Sequence, residues 1–372
     1  MSTSKLFEPI KAGSITLGHR VVMAPLTRYR CDDAGAPTPM MKEYYKQRAS
    51  IPGTLIISEG TLISPSSGDP VAHKNAPGIF NSAHVAAWRK VTDAVHENGS
   101  FIYCQLWHFG GRIGFPEFGK ITETSEYLKF VAADRMSEGD IQKTIGDFAT
   151  AAKNAIAAGF DGVQVHIANG YLLDQFLHTT YNHRTDEYGG NIEKRVRFPL
   201  EVIKVVVDAV GADRTCVRLS PFFSDSLIQT GVMTHDPYPQ LEYLIRQLKP
   251  LKLAFLELIE VRMYLDDADF TSKTYSNRFL IELWDNQSPV ILTGGFGSHG
   301  SPQKAVDETW KEYDVCVAIG RYFISNPDLV FRLKEGIEFA PYDRSTFYTR
   351  GQTKGYIDYP FSKKFLNCTG DE

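Results

Sequence analysis

Residues 162–176 read GVQVHIANGYLLDQF, and two signals follow one another in this stretch. Residues 162–167 are short and almost all apolar, which is typical of a strand buried on both faces in a parallel sheet. His166, Asn169 and Tyr171 then follow within six residues. In a parallel barrel such a strand end faces the mouth, where functional side chains collect. The stretch therefore predicts both a strand and a site at its carboxyl end.

The same short apolar run recurs along the chain, each time followed by a stretch with helical spacing. The predicted strands are residues 21–27, 54–60, 101–107, 163–166, 216–220, 255–259, 290–294 and 315–320. Helical spacing around Tyr44–Ala49 follows the first of them, and the other predicted helices are residues 82–98, 138–159, 192–210, 238–249, 274–285, 302–311 and 328–336. Eight such units predict an α/β fold of the (β/α)8, or TIM barrel, type, with one domain over residues 1–372. An open doubly wound sheet is the alternative, but its nucleotide fingerprint is missing after the first strand.

Three segments lie outside this repeat. Residues 6–19 alternate around Lys11-Ala12-Gly13 and predict an N-terminal β-hairpin. Residues 108–137, between the third strand and the third helix, predict an elaborated loop over the barrel mouth. The tail beyond Tyr342 is too irregular for a further unit.

Composition excludes several classes of protein. The net charge of −4 gives no basic surplus for nucleic acid or an anionic membrane surface. No apolar run reaches the roughly 18 residues of a membrane span, and the N-terminus lacks a signal-peptide core. The five cysteines are scattered without CxxC spacing, which predicts reduced thiols. We therefore expect a cytoplasmic protein with no nucleic-acid or membrane partner.

The residues 295–300 match the pattern GxGxxG, but they follow the seventh strand rather than the first. Loops after strands seven and eight of a barrel commonly bind a phosphate through backbone N–H groups. Gly294 and Gly295 lie in the first of these loops, and Gly320 and Arg321 lie in the second. The sequence favours a phosphate site here, although the glycines could simply turn the chain.

Arg218 lies among apolar residues at the end of the fifth strand, where a charge needs a partner. Two interpretations stay open: an ion pair with Glu59 or Glu257, or a cation beside an electron-rich cofactor ring.

His166 and Asn169 could donate hydrogen bonds to one oxygen and polarise a carbonyl, and Tyr171 could supply a proton. A turn stabilised by its own side chains explains the same spacing equally well. A metal site built from His166, His178 and His183 is a third option, which matches no known ligand spacing.

Aromatic residues at strand ends and in the tail remain to be explained. Trp107 ends the third predicted strand, and Phe347-Tyr348 stands in the polar tail where no packing period accounts for it.

Together these motifs give nearly the whole chain a strong resemblance to the old yellow enzyme family of flavin-dependent ene-reductases, in particular its fungal branch with its ergot-type aldehyde reductases. The matching segments are 23–28, 105–108, 166–172, 182–190, 218–221, 320–322, 346–348 and 355–360. The resemblance implies a (β/α)8 barrel that holds FMN non-covalently at its mouth. It also implies a small-molecule substrate and a monomer or homodimer.

The resemblance assigns roles to individual residues. Thr27 would hydrogen-bond the flavin C4 carbonyl, and Arg218 would stabilise the reduced, anionic flavin. His166 and Asn169 would hold the substrate carbonyl, and Tyr171 would protonate Cα. The remaining cofactor contacts would be Pro25, Leu26, Gly60, Gln105, Gly294, Gly295, Gly320, Arg321 and Phe347. Trp107 and Tyr348 would shape the substrate pocket.

The implied reaction has two half-reactions: NADPH or NADH reduces FMN and leaves, and an α,β-unsaturated aldehyde or ketone then takes hydride at Cβ. The chain departs from the family at Gly295, where many relatives have Asn. Residues 109–137 and 222–236 match no family pattern, and we expect them to select the substrate. Two other functions stay open: a flavin-dependent isomerase or cyclase, which relatives with Phe in place of the tyrosine suggest, and a non-catalytic flavin-binding protein.

Overall fold

The computed structural model describes residues 4–69, 73–110, 136–223, 236–261, 275–297 and 300–370. Its strands are β1 (Ile10–Ala12), β2 (Ile15–Leu17), β3 (Val21–Met23), β4 (Leu55–Ile57), β5 (Thr61–Leu62), β6 (Phe101–Trp107), β7 (Gly162–Ile167), β8 (Thr215–Leu219), β9 (Phe255–Ile259), β10 (Val290–Thr293) and β11 (Val315–Ile319). Eight of them pair in parallel in the closed order β3-β4-β6-β7-β8-β9-β10-β11 and back to β3. The predicted (β/α)8 barrel is confirmed, and β5 is a short addition paired to β6.

The helices alternate with these strands. They are α1 (Pro39–Arg48), α2 (Ser82–His96), α3 (Glu138–Ala157), α4 (Leu172–Leu177), α5 (Ile192–Val210), α6 (Tyr238–Leu248), α7 (Arg278–Trp284), α8 (Ser301–Lys304), α9 (Arg321–Ser325), α10 (Leu329–Glu335) and α11 (Lys363–Thr369). One-turn 3-10 helices cover Lys5–Phe7, Ala212–Arg214, Lys249–Leu251 and Arg344–Thr346. Among the described helices, none has both the length and the apolar composition of a membrane span.

Side-chain caps explain where the long helices begin. Ser137 and Asp140 form a reciprocal capping box at the start of α3, and the Asn191 side chain accepts from the Lys194 N–H at the start of α5. The predicted helix over 302–311 is wrong in part, because α8 widens into a π-helix over Ala305–Thr309. The predicted start of α7 at residue 274 and most of the loop over 108–137 lie outside the described residues.

The barrel strands are buried on both faces, as their apolar runs require. Alternate residues such as Val163, Val165 and Ile167 of β7 face the helices and join the outer core. The others point inward, where Val22, Ile57, Tyr103, Cys216 and Phe255 belong to one inner apolar cluster. Both faces of every strand are therefore fixed by packing.

The N-terminal hairpin closes one end of this inner cluster. β1 and β2 pair antiparallel, as predicted, and their apolar side chains Ile10, Ala12, Ile15 and Leu17 join the inner cluster. The Ser14 N–H donates to the Asp213 carbonyl, just before β8 begins. Since the hairpin covers the amino ends of the strands, a ligand site is left to the carboxyl ends.

Candidate functional site

Polar side chains replace apolar ones along the inner face as the strands approach their carboxyl ends. Gln105 Nε2 donates to Gln164 Oε1 (2.8 Å), and Gln164 Nε2 donates to Glu257 Oε2 (2.5 Å). The other Glu257 oxygen accepts from the Thr293 hydroxyl and lies 3.0 Å from Arg218 Nε. We call Gln105, Gln164, Arg218, Glu257 and Thr293 the polar floor. Hydrogen bonds and one ion pair join five strands, β6 to β10, into this layer above the inner apolar cluster.

The polar floor identifies the partner of Arg218 as Glu257, which was one of the two partners considered from the sequence. Both side chains are buried, and the Arg218 Nε–H lies close to the carboxylate without pointing along a hydrogen-bond direction. A buried pair of this kind balances charge at some cost in desolvation. The Arg218 guanidinium therefore balances the charge of the Glu257 carboxylate. It lies at the mouth beside His166, with which Arg218 pairs in the β7–β8 register.

The turn after β7 is held by a buried carboxylate. Asn169 adopts a left-handed conformation (φ +59°), and its backbone N–H donates to Ser220 Oγ (2.8 Å). The Gly170 N–H donates to Asp174 Oδ2 (2.7 Å), and the Ser220 hydroxyl donates to the same oxygen (3.3 Å). Asp174 on α4 and Ser220 after β8 thus fix the backbone that carries Asn169.

His166 is a neutral imidazole in this site. Burial, with a smaller contribution from the Arg218 charge, lowers its pKa well below the ordinary value of 6.5. Its Nδ1 is buried and has no hydrogen-bond partner among the described residues. The ring lies 5.1 Å from the Tyr171 ring, measured between centroids. A neutral, buried imidazole beside a phenol can hydrogen-bond a ligand without bringing a charge into the pocket.

An aromatic wall stands over this turn. Trp107 packs edge-on against Tyr171 at 5.2 Å between ring centroids, and Phe109 lies 5.6 Å from the same ring. Tyr29 and Tyr348 belong to the same cluster, 6.2 Å apart. The structure therefore brings Trp107, Tyr171 and Tyr348 together, although they come from three distant parts of the sequence.

Two buried arginines hold the tail segment that carries Phe347 and Tyr348. Arg28 Nε (3.0 Å) and Arg30 Nη1 (2.7 Å) both donate to the Phe347 carbonyl. Arg30 also donates to the Thr346 carbonyl, and Arg28 donates to the Gly355 carbonyl. Phe347 itself is buried against Tyr342. The segment after β3 thus positions two tail residues at the mouth.

The glycines after β10 and β11 lie side by side, because Thr293 pairs with Ala318 in the parallel register. Gly294 (φ +113°) and Gly295 (φ +70°) adopt conformations that favour glycine. A Cβ on Gly320 would lie 3.1 Å from Leu26, so the end of β3 reaches the same corner. Arg321 follows Gly320 and is exposed, and Pro25, Leu26 and Thr27 are half-buried.

These residues suit an FMN molecule. A Cβ on Gly60 would lie 3.0 Å from the Trp107 indole, and one on Gly320 would lie 3.1 Å from Leu26, so the side chains around these glycines leave little room for a larger residue. The positive φ of Gly294 and Gly295 leaves a bare backbone at one end, as a phosphate requires. The polar floor offers amide and guanidinium groups at the other end. The predicted cofactor and substrate residues thus lie at the carboxyl ends of the barrel strands or in the segments that follow them and in the tail.

The alternative metal site does not assemble. His178 Nε2 pairs with Asp174 Oδ1 (3.1 Å), whereas His166 packs on Tyr171. Within the described ranges, no group of three or more His, Cys, Asp or Glu side chains is arranged to hold a metal ion.

Several residues of the site were not identified from the sequence. Gln164 lies inside an apolar strand, and Asp174 lies inside an apolar helix. A polar residue within each apolar run was the feature of the sequence that could have indicated a functional role. The aromatic wall also contains Phe109 and Tyr29, and His73 packs against it. All three residues lie in loops, which hydrophobic periodicity does not predict.

Comparisons with known proteins agree with this geometry. The model of the NADH:flavin oxidoreductase / NADH oxidase family matches residues 5–339. A chanoclavine-I aldehyde reductase from Penicillium roqueforti is 48% identical, over 97% of this chain and 98% of that protein. A protein named as a probable inactive reductase, from Epichloe festucae var. lolii, is 41% identical over 98% and 97%. The crystal structure of old yellow enzyme from Pichia sp. AKU4542 superposes with a TM-score of 0.84 at 34% identity, over 97% of this chain and 94% of that one.

Proposed function

The chain belongs to the NADH:flavin oxidoreductase / NADH oxidase family, that of the old yellow enzymes, and from this premise we propose that it is an FMN-dependent ene-reductase. It reduces the activated C=C bond of α,β-unsaturated aldehydes or ketones, with NADPH or NADH as the hydride donor, in a ping-pong reaction. Its setting is fungal secondary metabolism, since a close relative is a chanoclavine-I aldehyde reductase.

One observation carries the proposal: a buried neutral imidazole, an amide and a phenol share one rigid turn above the polar floor. His166 and Asn169 bind the substrate carbonyl oxygen, where negative charge develops as hydride arrives at Cβ. Tyr171 stands beside them and gives its proton to Cα. Because His166 is neutral, it stabilises the developing charge by hydrogen bonding alone.

The remaining roles are those that the family resemblance implies. Gly294, Gly295, Gly320 and Arg321 bind the phosphate of FMN, and Gln105 and Arg218 hold the pyrimidine edge of the flavin. Pro25, Leu26, Gly60 and Phe347 line the ring, with Thr27 at the C4 carbonyl. Trp107 and Tyr348 bound the substrate. The chemistry that FMN supplies when bound is hydride transfer, from the nicotinamide in one half-reaction and to Cβ in the other.

The test is an anaerobic titration of the purified protein. We expect NADPH or NADH to bleach the flavin absorbance, and a simple cyclic enone such as 2-cyclohexenone then to restore it with formation of the saturated ketone. A flavin that neither nicotinamide reduces would refute the reductase. A comparison of the two nicotinamides in the same experiment decides the donor.

A non-catalytic flavin protein is the second candidate, since a relative of similar length is named as probably inactive. It would bind FMN and remain yellow in the titration. The intact set His166, Asn169 and Tyr171 favours catalysis over this candidate. An isomerase or cyclase would instead release a product without two added hydrogens, which mass spectrometry of the product separates.

We also propose that the protein is cytoplasmic, a single domain, and a monomer or homodimer that binds neither nucleic acid nor membranes. All five cysteines are free thiols, and four of them are buried, which suits a reducing compartment. Size-exclusion chromatography with light scattering measures the oligomeric state.

A further inference from the structure

His73 is a buried histidine next to the aromatic wall, with a tautomer fixed by the backbone. The Asp69 N–H donates to His73 Nδ1 (2.8 Å), so Nδ1 is an acceptor and carries no proton. Burial lowers the pKa of the ring to about 4, so it is neutral at physiological pH. The proton of a neutral ring with this tautomer sits on Nε2, which is therefore a hydrogen-bond donor.

This donor has no partner among the described residues, although the side chain is only 3% exposed. Leaving a buried donor unpaired is unfavourable, and native structures rarely do so without a reason. Trp107, with 2% of the residue exposed, has a second buried donor, Nε1, that finds no partner in the part of the chain that the structure describes.

The His73 ring belongs to the substrate side of the mouth. Its centroid lies 4.2 Å from Phe109 and 5.3 Å from Trp107, and both of those rings pack on Tyr171. Backbone hydrogen bonds hold the residues next to the ring: the His73 N–H donates to the Asp69 carbonyl and the Phe109 N–H donates to the Ser67 carbonyl. The donor is thus held at a set position before any ligand arrives, which makes it selective.

We propose that His73 Nε2–H, with Trp107 Nε1–H of the neighbouring ring, is a second polar subsite that binds a hydrogen-bond acceptor of the substrate remote from the reacting carbonyl. This inference rests on the proposed ene-reductase function and narrows its substrate class. The preferred substrate is an unsaturated aldehyde or ketone with an aromatic or heterocyclic body that carries a neutral acceptor, such as a ring nitrogen or an ether or carbonyl oxygen. A neutral donor offers nothing to a protonated amine, so a cationic group is not the ligand.

Alternatively, these two donors could interact with the rings of the aromatic wall instead of with a ligand. The His73 and Trp107 rings stand at 89° to one another, so one N–H could point at the face of the other ring. In that case the donors would stabilise packing and would not distinguish between ligands of the same shape.

Isosteric substrates separate the two uses. Cinnamaldehyde and its 2-, 3- and 4-pyridyl analogues, all as the E isomers, have the same shape and differ by one ring nitrogen. For each protein, kcat/KM of every pyridyl aldehyde is divided by kcat/KM of cinnamaldehyde, which cancels general losses. The variants are His73→Phe, which keeps a ring but removes the donor, and His73→Gln, which keeps an N–H. His84→Leu is the matched control, a buried histidine on α2 outside the aromatic wall.

We expect at least one pyridyl ratio to fall about tenfold in His73→Phe, the value of one ordinary hydrogen bond. The same ratio should recover in part in His73→Gln and stay unchanged in His84→Leu. Ratios that are equal in the wild type and in His73→Phe for all three isomers would overturn the subsite while leaving the reductase intact. No turnover of cinnamaldehyde, its analogues or 2-cyclohexenone by the wild type would overturn the proposed function, and the subsite with it.

Discussion

His166, Asn169 and Tyr171 differ in how their side chains are prepared for a carbonyl ligand. His166 is desolvated and neutral, and Asn169 is held by its backbone in a left-handed conformation. Tyr171 is 8% exposed, between Trp107 and His166. A phenol enclosed in this way is shielded from bulk water, so any proton it gives to a ligand must come from its own hydroxyl. In the proposed reaction this hydroxyl is the proton donor.

Replacing Tyr171 with Phe tests this assignment. We expect reoxidation of the reduced enzyme by an enone to slow by about 10²–10⁴-fold, the usual contribution of a general acid. Reduction by NADPH should continue at its normal rate, since that half-reaction needs no proton at Cα. Stopped-flow measurement of the two half-reactions gives both rates separately.

Tyr188→Phe is the matched control for this measurement. The Tyr188 hydroxyl donates to Glu201 and accepts from Gln142, away from the mouth. The role of Tyr171 is wrong if Tyr171→Phe slows both half-reactions equally, or if Tyr188→Phe reproduces its effect.

At the scale of single elements, the sequence predicted apolar strands and long helices well and short helices poorly. β6, β9 and α5 begin and end where their apolar patterns predicted. α4, with six residues, and α9, with five, are too short to show a helical period. Both follow a barrel strand directly, so they depend on the loops around them rather than on their own pattern.

The candidate site was predictable to a similar extent, and for a related reason. Residues at strand ends, such as His166 and Arg218, were found because a barrel brings all strand ends together. Asp174 and Ser220 were not found, because their role depends on a hydrogen bond between two separate elements. The residue spacing within one element cannot predict such a contact. The identity of the Arg218 partner stayed open for the same reason, and the register between β8 and β9 decides it.

Ser220→Ala tests whether the turn after β7 depends on this pairing. The change removes the side-chain acceptor of the Asn169 N–H in a partly buried turn, which costs about 0.5–1.5 kcal/mol. We expect KM for an enone to rise about tenfold, because Asn169 is no longer held towards the carbonyl. Steady-state kinetics and chemical unfolding of the same protein measure both effects.

Ser325→Ala provides the comparison, since the buried Ser325 hydroxyl donates to the Ala340 carbonyl at the end of α9. It should lower the free energy of unfolding by a similar amount without changing KM. Equal changes of KM in the two variants would mean that Ser220 acts on stability alone.

For the whole molecule, burial decides which protonation states the fold can tolerate. Four histidines are held neutral: burial lowers the pKa of His19 and of His73 to about 4, that of His108 to about 3 and that of His166 well below 6.5. Burial also raises the pKa of Glu59 to about 7, against the opposing effect of its hydrogen bond from the Arg28 N–H. His84 and His96 shift in opposite directions. The fold therefore binds fewer protons than the unfolded chain in mild acid.

This proton difference predicts that stability falls as the pH decreases from 6.5 to 5. Below 6.5 the unfolded chain protonates the four histidines and the folded protein does not, so each contributes about 1.4 kcal/mol per pH unit of loss. Glu59 offsets the effect of one histidine on stability. Between pH 4.5 and about 7, its carboxyl group holds a proton in the folded state that it releases in the unfolded state. The net slope is at most about 4 kcal/mol per pH unit. Urea unfolding at pH 7.5, 6.5 and 5.5 measures it.

His19→Gln tests the contribution of one histidine to this pH dependence. His19 is suitable because it binds Thr54 and the Val21 N–H, far from the mouth. The variant should be less stable at pH 7.5. The slope of its free energy of unfolding against pH, however, should be smaller than that of the wild type by about 1.4 kcal/mol per pH unit. A slope equal to that of the wild type would show that His19 titrates in the folded state. His73 and His166 of the site belong to the same group of buried histidines, so the burial that keeps these two rings neutral also makes the fold less stable in acid.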